Sequence, residues 1–204
     1  VSSYARIASL IVALSAWAGL GLQFVDSMQL TQNNALAALW AMLMYFTILT
    51  NLLVAVAFTA VALGFAVAPW MLGGVMLAIV LVGVIYALLL SDIPIGNTRT
   101  SALANTLVHR VTPVLVPLYW IAYVPKGHLQ WHDAVYWAAY PIAYLGYVLV
   151  RGSFTGRYPY PFIHVADIGW TTTLRNAAAI ALCFIVTSFL LIGIDHIGQL
   201  TTGR

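Results

Sequence analysis

Residues 27 to 91 read SMQLTQNNALAALWAMLMYFTILTNLLVAVAFTAVALGFAVAPWMLGGVMLAIVLVGVIYALLLS, and none of them is charged. A helix that crosses a hydrocarbon core needs about 20 apolar residues, so the stretch holds two such helices, divided near Gly64 to Pro69. The remainder of the chain follows the same rule. Of 204 residues 63% are hydrophobic and 6% charged, with eight Lys or Arg set against five acidic residues, all of them Asp. Soluble domains carry about 25% charged residues, so composition excludes an ordinary soluble protein.

Outward from that stretch, residues 7 to 25 and 176 to 194 are uncharged runs of span length, and 134 to 150 form another between Asp133 and Arg151. A further span at about 102 to 124 requires His109 and Arg110 inside it. The expectation is an all-α, polytopic integral membrane protein, one bundle of six transmembrane helices over 1–204. The spans lie near 5–25, 35–63, 69–91, 102–124, 134–151 and 175–195. Arg6 ahead of an apolar core, with Ala16-Trp17-Ala18 as a small-x-small site, also has the form of a secretory signal. The expectation is nevertheless a retained helix. Cys183 is the single cysteine, which excludes an intramolecular disulfide and a multi-Cys metal site. The net charge of +3 gives no support to nucleic-acid binding.

Six spans sort the connections into two sets. The N-terminus, residues 65 to 69, residues 125 to 132 and the C-terminus share one side. The other side, a polar face, receives Asp26, Gln32, Asn33 and Asn34, then Asp92, Asn97 and Arg99, then Arg157, His164 and Asp167, with Arg151 and Arg175 at its edges. The Lys and Arg bias that orients membrane proteins is nearly balanced, because Arg6, Lys126 and Arg204 oppose Arg99, Arg151, Arg157 and Arg175. The three helix pairs share no repeated motif.

A strongly polar side chain inside a span costs about 2.5 to 3.5 kcal/mol on insertion scales, which makes each one a functional candidate. In Tyr45-Phe46-Thr47-Ile48-Leu49-Thr50-Asn51, Thr47, Thr50 and Asn51 stand at i, i+3 and i+4, on one helix face. The structural alternative has the hydroxyls bonding their own helix and Asn51 joining two helices. In the fourth span Asn105, His109 and Thr112 or Pro113 share a face, with Arg110 beside the histidine. Arg110 lies roughly 13 Å into the helix at 1.5 Å per residue, deep for a snorkelling group. Pro113 has no N–H for the His109 carbonyl, nor Pro117 for that of Pro113, which predicts a kink just beyond the histidine.

Counted from starts near residues 35 and 101, Thr47 lies about 18 Å and His109 about 12 Å below the polar face. A hydroxyl and an imidazole at matching depth are the minimum for nucleophilic catalysis, in which the base takes the hydroxyl proton as the oxygen attacks a carbonyl. Periodicity leaves open whether the two helices are neighbours. Arg157-Tyr158-Pro159-Tyr160-Pro161-Phe162 has alternating prolines that favour an extended, rigid segment. With Arg151, His164 and Asp167 it reads either as a cap over the site or as an interfacial aromatic anchor.

Other chemistries lack their residues. His109 is the only histidine inside a span, so a bis-His haem is not expected. There is no G-x-S-x-G elbow and no H-E-x-x-H helix. His128 and His132, at i and i+4 near Asp133, make a weak metal site beside Gly127. No cofactor is expected.

The runs 45–51, Leu107-Val108-His109-Arg110-Val111-Thr112-Pro113 and 157–162 resemble the bacterial six-transmembrane family related to the eukaryotic androgen-induced and androgen-dependent TFPI-regulating proteins. Those eukaryotic relatives are intramembrane threonine hydrolases that cleave fatty acid esters of hydroxy fatty acids. The resemblance spans roughly residues 40 to 175. It implies Thr47 as nucleophile, since the relatives' threonine follows a Tyr-Leu pair as Thr47 follows Tyr45-Phe46. It implies His109 as base, four residues after Asn105. It matches the relatives' Tyr-Pro-Phe-Leu element to Tyr160-Pro161-Phe162-Ile163. Arg110, where the relatives have an uncharged residue, and the Thr50-Asn51 pair, in place of a single Asn, depart from the pattern and bear on the substrate.

The implied function is hydrolysis of long-chain acyl esters within a bilayer, a bacterial inner membrane. Thr47 and His109 are the catalytic pair. Asn51, Asn105, Arg110 and Thr50 stand in supporting or oxyanion roles, and Arg151, Tyr158, Tyr160, Phe162 and Asp167 in a cap or substrate-binding role. A third triad member would be an amide, or Asp167 folding in. The partners implied are bilayer lipid and the acyl substrate. Two other classes use the same residues: a small-molecule or lipid carrier, whose ligand binding would survive Thr47→Ala, and a structural bundle held by Asn51, Asn105 and His109.

Overall fold

The computed structural model describes residues 2–93, 96 and 98–202, with no side-chain description at 201 and 202. Asn97 and Arg204, counted above among the loop charges and polar groups, lie outside the described residues. Every regular element among the described residues is helical. The chain forms two compact units, Val1–Pro125 and Lys126–Arg204.

The first unit begins with α1, Ser3–Leu30, whose N-cap Ser2 accepts a hydrogen bond from the Ala5 N–H at 3.2 Å. It ends where Gln32 (φ 53) and Asn33 (φ 62) turn left-handed, and the Asn33 N–H reaches back to the Met28 carbonyl at 2.8 Å. Asn34 then caps α2, Ala35–Met42, by accepting from the Ala37 N–H. The 35–63 stretch expected as one span breaks after Met42. The chain resumes helix as α3, Phe46–Ala62, bent by 97° from α2. Leu43, Met44 and Tyr45 include no Gly, Pro, Asn or Asp, so composition does not announce the break. The depth of about 18 Å counted for Thr47 along a straight helix therefore does not apply, because Thr47 sits in the first turn of α3.

Past Gly64, α4 runs Pro69–Ile85 with its proline at the first helical position, where the missing N–H costs nothing. A π turn, Tyr86–Leu90, extends it. A reciprocal Thr98–Ser101 capping box opens α5, Arg99–Thr106. Next come a second π turn, Leu107–Val111, and α6, Thr112–Tyr123. The expected irregularity thus falls on His109 itself rather than beyond it. Pro113 cannot serve the His109 carbonyl, and the ladder shifts by one residue so that the Thr112 N–H bonds the Leu107 carbonyl.

α1 packs along α3 and α5, and α4 along α6. Val54, Ala55, Ile79 and Val116 have no accessible surface between them. Arg6 Nε donates to the Ala62 carbonyl at 3.0 Å and so occupies the C-terminal end of α3, where a cation opposes the helix dipole. Ser15 and Thr112 bond through their hydroxyls at 3.0 Å, and Thr98 donates to Asp26 at 3.3 Å.

The second unit pairs α7, Asp133–Thr155, with α8, Val165–Thr202, which is interrupted at Gly169 (φ 74, ψ 163). Asp195 is fully buried in α8 and accepts the Leu129 N–H at 3.0 Å, while His196 Nε2 donates to the Leu129 carbonyl at 2.9 Å. The two residues clip the 126–132 connection to the helix. Burial lowers the pKa of the Lys126 amine there, and the nearby Asp195 carboxylate acts in the opposite direction.

Among the described residues, three helices are long and apolar enough to cross a membrane, Ser3–Leu30, Pro69–Leu90 and Val165–Leu200, or four if the bent α2–α3 pair counts as one span. Large apolar side chains such as Ile7, Leu14 and Leu88 on these helices, and Leu118 and Ile121 on α6, stand exposed. Exposed apolar surface of this extent is compatible with a membrane protein.

Candidate functional site

Polar groups that hydropathy would keep out of the first unit gather where α3 meets the π turn 107–111. Thr47 is in the first turn of α3, 6% exposed, and its Oγ1 lies 3.2 Å from His109 Nε2. The two residues are 62 positions apart in sequence. A 3.2 Å contact between a hydroxyl and an imidazole nitrogen is a hydrogen bond, so the structure brings together the two side chains that sequence reading placed on separate helices.

Asn51, with no exposed surface, fixes the spacing of the segments that carry them. Its Nδ2 donates to the Thr47 carbonyl at 2.9 Å, within α3, and to the Val108 carbonyl at 3.1 Å, across to the π turn. Both amide hydrogens are therefore spent on backbone, which makes Asn51 a strut between the two segments. Thr50 is fully buried one turn after Thr47.

Around His109 the arrangement depends on a residue that sequence reading passed over. Tyr86, 4% exposed at the start of the first π turn, stacks on the imidazole with ring centroids 4.4 Å apart and planes inclined by 23°. Its hydroxyl accepts from Asn105 Nδ2 at 2.8 Å and from an Arg110 guanidinium nitrogen at 3.4 Å. The Arg110 guanidinium carbon is 5.4 Å from the same ring's centroid. The available signal was a phenol inside a charge-free apolar run, where a buried hydroxyl needs a partner. Asn105 and Arg110 thus meet at Tyr86.

Two glycines let neighbouring helices close on the histidine segment. A Cβ on Gly19 of α1 would stand 2.7 Å from Val108 Cγ1, and one on Gly83 of α4 would stand 2.8 Å from Pro113 Cβ and 3.6 Å from the His109 carbonyl oxygen. The π turn is held from two sides by backbone contact. Three buried polar atoms remain without a hydrogen bond of ordinary geometry: Asn51 Oδ1, Asn105 Oδ1 and His109 Nδ1, the last on the side of the Asn105 backbone. Buried polar atoms left open are uncommon in folded proteins and call for explanation.

The expected cap residues belong to the second unit. Arg151 is buried in α7 and donates to the Tyr147 hydroxyl at 2.7 Å. Tyr158 packs its ring against Gly152 and meets His164 edge-on at 5.1 Å. His164 Nδ1 is 3.0 Å from a carboxylate oxygen of Asp167. Tyr160 is extended (φ −134, ψ 140), as its flanking prolines predict, but Pro161–Ile163 then make a single 3-10 turn. Tyr160 and Phe162 stack at 5.2 Å, and Asn176 Nδ2 donates to the Phe162 carbonyl at 2.9 Å.

Among the described residues, no three His, Cys, Asp or Glu side chains are grouped as a metal site requires. The side chains that meet at α3 and the π turn are a hydroxyl, an imidazole, two amides, a phenol and a guanidinium, a set suited to proton transfer and polar recognition. Comparison of the chain with protein-family models, with curated proteins and with solved structures finds no match.

Proposed function

We propose that the chain is a six-span integral membrane protein of the family it resembles, and that it hydrolyses long-chain acyl esters at a site within the bilayer. The observation that carries the reading is the Thr47 Oγ1 to His109 Nε2 contact of 3.2 Å, made by a buried hydroxyl and a half-buried imidazole from separate helical segments. In the proposed reaction Nε2 takes the Thr47 proton as Oγ1 attacks the ester carbonyl. The tetrahedral intermediate then collapses, its C–O bond to the alcohol breaks, and the leaving oxygen takes the proton from His109. Water, deprotonated by the same nitrogen, attacks the acyl-threonine; the acyl C–Oγ1 bond breaks, the fatty acid leaves, and the proton on Nε2 returns to Thr47 Oγ1.

The first-turn position of Thr47 supports this reading on electrostatic grounds. A helix N-terminus carries a partial positive charge, and negative charge developing on the carbonyl oxygen beside Thr47 is stabilised there. Asn51 is committed to two backbone carbonyls, which favours a holding role over oxyanion donation. A carrier reading is favoured by one observation. Asn51 Oδ1 and Asn105 Oδ1 are buried acceptors with no partner, as a site that holds a polar ligand without chemistry would have.

The test is turnover of a panel of long-chain esters by the full chain in detergent, beside Thr47→Ala and His109→Ala variants whose folding is checked by circular dichroism. Loss of at least about 100-fold in both variants is expected for removal of a nucleophile or general base. Ester binding that survives Thr47→Ala, with no turnover by the wild type, would establish the carrier instead.

A further inference from the structure

We infer that Tyr86 is the positioning residue for His109, setting the plane of the imidazole by its ring face. The inference rests on the hydrolase reading for its consequence in catalysis, while its structural content stands on the contacts alone. In a Ser-His-Asp arrangement a carboxylate bonded to Nδ1 holds the ring in orientation. Here Nδ1 bonds no side chain. The side-chain contact that fixes the plane, beside the Asn105 backbone that the imidazole also meets, is the phenol of Tyr86, stacked at 4.4 Å and 23°.

Geometry makes that contact consequential. The Nε2 lone pair lies in the imidazole plane, so the tilt of the plane decides whether it points at Thr47 Oγ1, 3.2 Å away. Tyr86 is itself fixed at its far end, because Asn105 Nδ2 reaches its hydroxyl at 2.8 Å from one turn before the histidine and Arg110 reaches it at 3.4 Å from one residue after. The phenol is therefore pinned by the same helical segment whose histidine it orients. A second effect acts in the same direction. When His109 takes the threonine proton it becomes a cation against the face of an aromatic ring, an attraction that exists only in the charged form.

The chemistry explains why a tyrosine stands in this run. Leu or Ile would fill the volume beside His109, but neither presents a flat face to an imidazole or accepts from the Asn105 amide. The hydroxyl of so buried a tyrosine would cost free energy if it were unbonded. It is bonded to the two residues that frame His109.

The experiment uses the full chain in detergent, with Tyr86→Leu and Tyr86→Phe, and Tyr86→Met in case the leucine variant does not fold. Two readouts are taken. The first is the His109 Cε1–H resonance in protein labelled at histidine, assigned with His109→Gln. Stacking shifts it upfield in the wild type and in Tyr86→Phe, and Tyr86→Leu removes that shift. The second is ester turnover, where Tyr86→Leu is expected to lower kcat by roughly 10- to 100-fold, the scale of a misplaced catalytic group, with KM unchanged. Tyr86→Phe restores most of the rate because it restores the ring.

A Tyr86→Leu protein with wild-type kcat overturns the inference, as does a His109 resonance that does not move. If the wild type cleaves no ester, the hydrolase reading fails by itself and the resonance alone decides. An unmoved signal then overturns the inference, and a moved one upholds Tyr86 as the residue that sets the imidazole.

Discussion

Asn51 is the side chain on which the distance between Thr47 and His109 depends most directly, since its two amide hydrogens join the Thr47 carbonyl to the Val108 carbonyl. Asn51→Leu fills a similar volume but leaves the Val108 carbonyl short of its side-chain donor and the Thr47 carbonyl with its helical donor alone. The expected loss is about 1 to 3 kcal/mol of stability, the cost of buried groups left unsatisfied, read as a lowered unfolding midpoint in detergent. Sequence showed part of this residue scale. The i, i+4 spacings 47/51 and 105/109 put the right side chains on common faces by periodicity alone. Tyr86 stayed hidden because it is one of 11 tyrosines, and its role is created by a stacking partner from another helix, which periodicity does not report.

Element by element, the histidine segment is shaped by absences: no N–H at Pro113, no Cβ at Gly19 or Gly83. Gly83→Ala would place a methyl group 2.8 Å from Pro113 Cβ, too close for either helix to keep its position. Overpacking of this kind costs about 1 to 3 kcal/mol, and the displaced π turn should carry His109 away from Thr47. Gly21, on α1, is the control, because nothing lies within 4 Å of an added Cβ there. Gly21→Ala is expected to raise stability by about 0.5 to 1 kcal/mol through helix propensity. Thermal unfolding of the two variants side by side checks both signs. The prolines made an irregularity near residue 113 legible, but not its form as a π turn on the histidine. The bend of 97° between α2 and α3 had no sequence signal at all, since Leu43, Met44 and Tyr45 continue an apolar helical pattern.

For the whole molecule, the expected all-α class agrees with the structure, since every regular element among the described residues is helical, and the apolar helices are compatible with a membrane protein. Among the described residues, three or four helices are long and apolar enough to cross a membrane, where six charge-free runs were counted. The first unit supplies a direct check of topology. Ser91 and Phe65 are exposed at opposite ends of Pro69–Leu90. In a Cys183→Ser background, Ser91→Cys and Phe65→Cys are expected to react with an impermeant maleimide from opposite sides of sealed vesicles. In the second unit, Asp195→Ala removes the acceptor of the Leu129 N–H. Hydrogen bonds to charged groups contribute about 1.5 to 3 kcal/mol, so faster amide exchange at Leu129 and a lowered unfolding midpoint are expected.

The central claim, that the Thr47 hydroxyl is the attacking group, is tested most directly by ester turnover of Thr47→Val beside Thr47→Ser. Valine keeps the shape of threonine and removes only the oxygen, while serine keeps the oxygen 3.2 Å from His109 in reach of the same nitrogen. Turnover retained by the serine variant and abolished in a folded valine variant is the predicted result. Turnover that persists in Thr47→Val would contradict it.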